Sequence, residues 1–183
     1  VSPMCQYSAA DGSATDWHLI HLGQLSLGGA ALLFVEATAV EAIGRITPGC
    51  LGLYSDDNER ALGRVVATVR KYSPIALGIQ LAHAGRKGSS AVPWRGGQLI
   101  PLDRGGWRPV APSPVAQLPG EDPPEALDRE GMDQAVHRLD LGRMPADGDR
   151  RAVRAAGPAL SRAGARSGRE RGARGREGVD GAD

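Results

Sequence analysis

The sequence predicts an α/β fold built from parallel strand–helix units, and three observations carry that prediction. Two apolar runs of strand length, Ala31 to Val35 and Ile75 to Leu81, flank a segment with helical periodicity. A second helix-patterned segment precedes the first run. Polar residues crowd the point where each apolar run ends, which is where ligands bind in parallel α/β sheets. At 183 residues and 41% hydrophobic content the length suits one domain with a core.

Val1-Ser2-Pro3-Met4-Cys5-Gln6-Tyr7 reads as the exit of a strand whose body is missing. Thr15 or Asp16 can cap a helix, with Trp17, Ile20 and Leu27 recurring on one side and Gly28-Gly29 as its stop. Ala31 to Val35 is the first strand and runs into Glu36-Ala37-Thr38. A loop holding Gly44, Pro48, Gly49 and Gly52 follows. Ser55 precedes Asp56, Asp57 and Glu59, and the segment closes with Arg70 and Lys71, a charge order that suits a helix dipole. Leu62, Val65, Val66 and Val69 give that helix its apolar stripe, and Pro74 ends it.

Ile75 to Leu81 has the pattern of a strand buried on both faces. Gln80 lies inside it, and His83, Arg86 and Lys87 gather at its exit around Gly85. Side-by-side parallel strands bring their exits to one edge, so Cys5, Tyr7, Glu36, Ala37, Gln80 and His83 are expected to meet there. Gly88 to Pro124 is rich in Gly and Pro around Trp94 and Trp107, too long for an ordinary connection, and reads as a lid or interaction loop. Asp128 to Leu139 is a further helix with Met132, Val136 and Leu139 on one stripe.

Composition changes near residue 140. Up to Asp140, twelve basic residues face fifteen acidic ones, a net charge of −3; beyond it ten Arg face six acids, +4, with no aromatic residue. The organisation is therefore residues 1–140 as the folded portion and 141–183 as an Arg/Gly/Ala-rich tail, expected to be disordered because it cannot bury enough apolar surface. Isolated arginines without aromatics make a weak nucleic-acid pattern, so a small binding module with a phosphate-contacting tail is an alternative and not the leading reading. Arg, Gly, Ala and Asp are also what a GC-rich gene yields out of frame, which predicts a frameshift between His137 and Leu141. Sequencing the locus checks that expectation, and an uninterrupted frame refutes it.

Several classes are excluded or left without support. A net charge of +1 gives no global argument for nucleic acid or membrane. No run of about 18 apolar residues exists for a membrane span, and no basic-then-apolar segment opens the chain, which points to the cytoplasm. Cys5 and Cys50 are too few for a disulfide framework, and a disulfide between them stays open. His18 and His21, one helical turn apart, could share a metal, but no third imidazole stands near them in sequence; they read as surface or packing residues, and no metal is expected.

Four motifs in order carry a resemblance: Ser2-Pro-Met-Cys-Gln-Tyr7, Val35-Glu-Ala-Thr38, Gly44-Arg-Ile-Thr47 and Gly78-Ile-Gln-Leu-Ala-His-Ala-Gly-Arg-Lys87. With Val92-Pro-Trp94, Gly106-Trp107 and Ala111-Pro-Ser113, they resemble the old yellow enzyme family over residues 1 to about 138, in its bacterial branch with a cysteine beside the flavin. The resemblance implies a (β/α)₈ TIM barrel that binds FMN at the carboxyl ends of its strands, of which this chain holds about three βα units. It implies an ene-reductase, an NAD(P)H dehydrogenase that takes hydride from NADPH or NADH and passes it through FMN to the alkene of an α,β-unsaturated carbonyl compound. Family members are often homo-oligomers.

Residue by residue, Ser2, Pro3 and Met4 resemble backbone contacts along the flavin, and Cys5 the thiol near its reactive edge. Ala37 resembles a position kept small for the ring's approach. Gln80 resembles the amide at the pyrimidine edge, where one group offers donor and acceptor together. Tyr7 resembles a substrate-side hydroxyl, so Cys5 and Tyr7 form the expected catalytic set, while His83 and Arg86 read equally well as loop supports. Nothing in the sequence matches the family's later His-Ala-Ala-His-Gly-Tyr type motif or its phosphate-binding loops, and such a barrel needs about 250 residues. The expectation is a chain inactive by itself, a non-functional frameshifted fragment being the alternative.

Overall fold

A computed structural model of the chain describes residues 1–141, with the side chains of Asp140 and Leu141 excepted; the readings of the tail fall outside these described residues. The order is α1 (Asp16–Ser26), β1 (Leu32–Ala39), α2 (Asp56–Tyr72), β2 (Ala76–Ala82), then the two-residue strands β3 (Val110–Ala111) and β4 (Glu125–Ala126), and α3 (Arg129–Leu141). β1 and β2 are neighbours and parallel, joined through α2, the strand–helix–strand unit that the sequence predicts. Val1 adds an edge to β1: its amino group donates to the Leu32 carbonyl at 2.6 Å, and its carbonyl accepts from Phe34 N–H at 3.1 Å. The expected strand exit is thus a segment running beside β1.

Each helix forms where its caps dictate. Ser55 Oγ accepts from Asn58 N–H at 3.2 Å, satisfying one of the open donors at the start of α2, a contact worth about 1 kcal/mol. Asp56, Asp57 and Glu59 lie in its first turn and Arg70 and Lys71 in its last, as its macrodipole favours. Leu62, Val65 and Val69 are its buried stripe. They meet Leu33 and Val35 of β1, Leu22 of α1, and Leu51 and Leu53 from the loop between β1 and α2 in one core. Removing such side chains from water stabilises by about 1.5–3 kcal/mol each.

The side of the first helix on which Trp17, Ile20 and Leu27 recur is exposed; His18, Leu22 and Ser26 are the buried residues of α1. β2 is half-exposed along its length rather than buried on both sides, and Phe34 of β1 is exposed too. α1 and α2 pack on one face of the β1–β2 pair, and Phe34, Ala76 and Gln80 on the other are exposed. Met132 and Val136 of α3 are likewise exposed.

The Gly- and Pro-rich stretch after β2 is ordered by side-chain anchors. Trp107 donates from its indole N–H to the Ile43 carbonyl at 3.0 Å, and the Arg45 guanidinium sits 5.2 Å from the centre of one of its rings. Ser89 is fully buried and its hydroxyl accepts from Trp107 N–H at 2.8 Å. No helix of the described residues is long and apolar enough to cross a membrane.

Candidate functional site

The site forms where the segment 2–9 crosses the carboxyl half of β1. The strands run in simple register from Leu32 opposite Ala76 to Val35 opposite Ile79, and then β1 inserts one extra residue, Glu36. This bulge puts Ala37 opposite Gln80. Gln80 is exposed, and its amide makes no hydrogen bond to any described residue. The Ala37 backbone amide lies beside the half-buried Cys5 thiol and favours its thiolate. Cys5, Ala37 and Gln80 therefore stand in a row across the strand edge.

Glu36 does not belong to that row. The bulge turns its side chain to the covered face, where it is 3% exposed. One carboxylate oxygen accepts from Gln6 N–H at 3.0 Å, and the other lies 3.3 Å from Nε2 of buried His18. His18 Nδ1 accepts from Thr15 N–H at 3.0 Å, so Nε2 carries the ring hydrogen and points at the carboxylate, close but not aligned as a hydrogen bond. Thr15 Oγ1 in turn donates to the Ser8 carbonyl at 3.0 Å, and Ser8 Oγ to the Gln6 carbonyl at 2.9 Å. The circuit Glu36–Gln6–Ser8–Thr15–His18 clamps the backbone on both sides of Tyr7. Tyr7 has φ of +53°, a left-handed conformation that costs a non-glycine residue about 1–2 kcal/mol. The clamp holds that strain.

Gly49 tightens the same turn. A Cβ there would lie 2.6 Å from the Tyr7 carbonyl oxygen, so only glycine admits the approach, and the Gly49 carbonyl accepts from Ala9 N–H at 2.9 Å. The Tyr7 ring meets Trp94 edge-on, centroids 5.5 Å apart. Burial, together with the nearby Cys5, Cys50 and Glu36, holds the Tyr7 hydroxyl above the usual tyrosine value. It stays a donor across neutral pH.

Ser2 and Met4 are exposed along β1's edge, with Pro3 half-buried between them. His83 sits at the β2 exit, its Nδ1 accepting from Gly85 N–H at 3.0 Å and its Nε2 2.8 Å from Glu41 Oε1. Arg138 of α3 pairs with the same carboxylate. Burial lowers the His83 value below 6.5. His83 thus ties two loops and a helix together and stands outside the row. The helical pair expected from spacing parts company: His18 turns inward to Glu36, and His21 stacks on Trp17. Among the described residues no cluster of three or more His, Cys, Asp or Glu could hold a metal.

Two partners escape sequence reading. Glu36 with His18 and Trp94 with Tyr7 each join residues far apart in the chain. The only advance signal lies in the type of residue, since a buried glutamate or histidine requires a partner.

The sequence profile of the NADH:flavin oxidoreductase / NADH oxidase family matches residues 1–98. NADH:flavin oxidoreductase FG08077 of Gibberella zeae is 45% identical over 138 residues, which span 73% of this chain and 33% of the relative. An NADPH dehydrogenase of Listeria monocytogenes serovar 1/2a is 39% identical over 138 residues, 74% of this chain and 36% of the relative. Of solved structures, morphinone reductase superposes with a TM-score of 0.59 at 24% identity, over 75% of this chain and 37% of that one. The old yellow enzyme homologue from Zymomonas mobilis gives 0.57 at 22%, over 74% and 37%. The chain spans about a third of the length of the curated relatives it matches. The structural likenesses identify the fold as part of an old yellow enzyme TIM barrel. With a family profile covering more than half the chain, and relatives of this identity beside it, the protein belongs to the NADH:flavin oxidoreductase / NADH oxidase family.

Proposed function

We propose that residues 1–138 supply the flavin-ring edge of an FMN-dependent NAD(P)H dehydrogenase acting on α,β-unsaturated carbonyl compounds. The observation that carries this is the placement of Ala37 opposite Gln80 across the β1–β2 pair. An exposed amide in mid-strand with its donor and acceptor free, beside a side chain of one carbon, suits the edge of a flat heteroaromatic ring. FMN, when bound, supplies the hydride relay between nicotinamide and alkene. Gln80 would offer the pyrimidine edge its amide, and the backbone of Ser2, Pro3 and Met4 would line the ring's flank. The Cys5 thiol would lie beside the ring as a polarisable neighbour, and Tyr7, kept protonated, would donate to the substrate carbonyl oxygen.

The proposal also holds that this chain is inactive alone. Hydride transfer needs ring, carbonyl anchor and nicotinamide stacked in one site, and the described residues furnish one wall of it. The test is a chimera in which residues 1–138 replace the aligned segment of the Listeria monocytogenes NADPH dehydrogenase. The chimera is expected to be yellow and to oxidise NADPH with 2-cyclohexenone, while the chain alone is colourless and silent. Gln80→Leu and Ala37→Leu in the chimera are expected to release the flavin. A folded chimera that binds no FMN overturns the reading.

A further inference from the structure

We propose that two copies of this chain pair through the outer edge of β2, as an antiparallel dimer centred on Ile79. β1 lies between Val1 and β2: the Leu32 carbonyl and Phe34 N–H bond to Val1, and Val40 N–H donates to the Ala82 carbonyl at 3.1 Å. A residue's N–H and C=O point to the same side of a strand, and successive residues alternate. Ala76, Gly78, Gln80 and Ala82 therefore turn their backbone to β1, and Leu77, Ile79 and Leu81 turn theirs outward. Among the described residues no strand pairs with that outer side. Natural sheet edges carry a lysine, a proline or a bulge that turns other strands away. β2, Ala76-Leu-Gly-Ile-Gln-Leu-Ala82, has no charge and no proline, and the bulge of this sheet lies in β1.

The sequence of the edge names its occupant. Read from either end towards Ile79, it keeps the order alanine, leucine, isoleucine, leucine, alanine. A two-fold axis through Ile79 therefore sets Ala76 opposite Ala82 of the second copy and Leu77 opposite Leu81, with Ile79 opposite itself. The remaining pair is Gly78 with Gln80, the one polar side chain of the strand beside the residue that has none. With no charge on the strand, no like charges meet across the axis. A parallel pair cannot share this symmetry. In a parallel ladder a residue that bonds across stands opposite one that does not, so equal residues cannot face each other. In an antiparallel ladder the outward residues meet, and each facing pair among Leu77, Ile79 and Leu81 exchanges both of its hydrogen bonds. The side chains of these residues are only partly buried against the core, so the pairing also sets leucine on leucine and isoleucine on isoleucine at the helix-covered face. Such a contact is the same patch on both copies and closes at two.

The pairing needs no flavin: a colourless chimera would overturn the proposed function and leave it untouched. Its test begins with the full chain in sedimentation velocity at micromolar concentration, where the expected mass is twice the 19.1 kDa of one chain. The register is then mapped with Ala76→Cys and Ala82→Cys, made separately in a chain that carries Cys5→Ser and Cys50→Ser. Both alanines lie on the open face, so neither substitution enters the core. Facing positions without hydrogen bonds hold their Cα atoms about 4.5 Å apart, within the span of a disulfide. Like positions stand roughly 20 Å apart, six residues along the strand. Mixed and mildly oxidised, the two variants are expected to link to each other, and neither to itself. A native chain that sediments as a monomer or as an open-ended polymer overturns the proposal. So does a dimer whose mixed variants fail to link, or whose single variants link to themselves.

Discussion

Glu36→Ala is the perturbation that most directly tests how the site is held. The substitution removes the acceptor of Gln6 N–H at 3.0 Å and the counterpart of His18 Nε2 at 3.3 Å, both on the covered face. A buried N–H left without an acceptor costs about 1–3 kcal/mol. The His18 contact is close but poorly aligned, so it adds about 1 kcal/mol. Release of the left-handed turn at Tyr7 returns about 1 kcal/mol of strain once the clamp is gone. The balance is a loss of about 1–3 kcal/mol. Urea unfolding followed by tryptophan fluorescence measures it, as a lower midpoint at unchanged slope. Glu36→Gln is also expected to destabilise, because its amide presents a donor to one of two groups that are themselves donors. A double cycle with His18→Ala should recover a coupling of about 1 kcal/mol. A Glu36→Ala chain within about 0.5 kcal/mol of the parent refutes the clamp, since that is the scatter of an ordinary surface change.

Three further predictions come from single contacts. Gly49→Ala sets a methyl 2.6 Å from the Tyr7 carbonyl, which is backbone and cannot swing away; a loss of about 1–3 kcal/mol is expected in thermal unfolding. Ser55→Ala deletes the α2 cap and should cost about 1 kcal/mol, with Ser55→Asp restoring it. His83 titrates below its ordinary 6.5 because burial favours the neutral ring, and protonation would also take Nδ1 from Gly85 N–H. A folded value below the unfolded one means that the stabilisation is complete above about pH 6.5 and lost as pH falls through the folded value. Melting temperature against pH should therefore slope more gently in His83→Gln than in the parent.

The sequence made the backbone of the fold legible and hid its sidedness. α2 was readable because cap, charge order and a stripe of Leu62, Val65 and Val69 agree on one helix. α1 was readable as a helix from its cap and stop, but not its buried face, which centres on His18, whose partner Glu36 comes from another element. Alternation rules could not report that β2 keeps one side open, since a strand's residues name their preference and not what covers them. Ala37, Gln80 and Cys5 were singled out in advance through their motifs. Parallel strands also led them to be expected at one edge, but the pairing of Ala37 with Gln80 could not be read, because it depends on one inserted residue in β1.

That inserted residue joins the two halves of the site. Had β1 continued in register past Val35, Glu36 would have faced Gln80 on the open side and Ala37 would have turned inward. The bulge reverses both. It sends the carboxylate to the covered face, where Gln6 N–H and His18 receive it, and it leaves the smallest side chain of the stretch beside the unpartnered amide of Gln80. The group that clamps the turn around Tyr7 and the gap beside Gln80 are therefore two outcomes of one irregularity in the strand. Any change that restores regular pairing at Glu36 is expected to loosen the 2–9 segment and fill the gap together, even where each residue of the site keeps its identity.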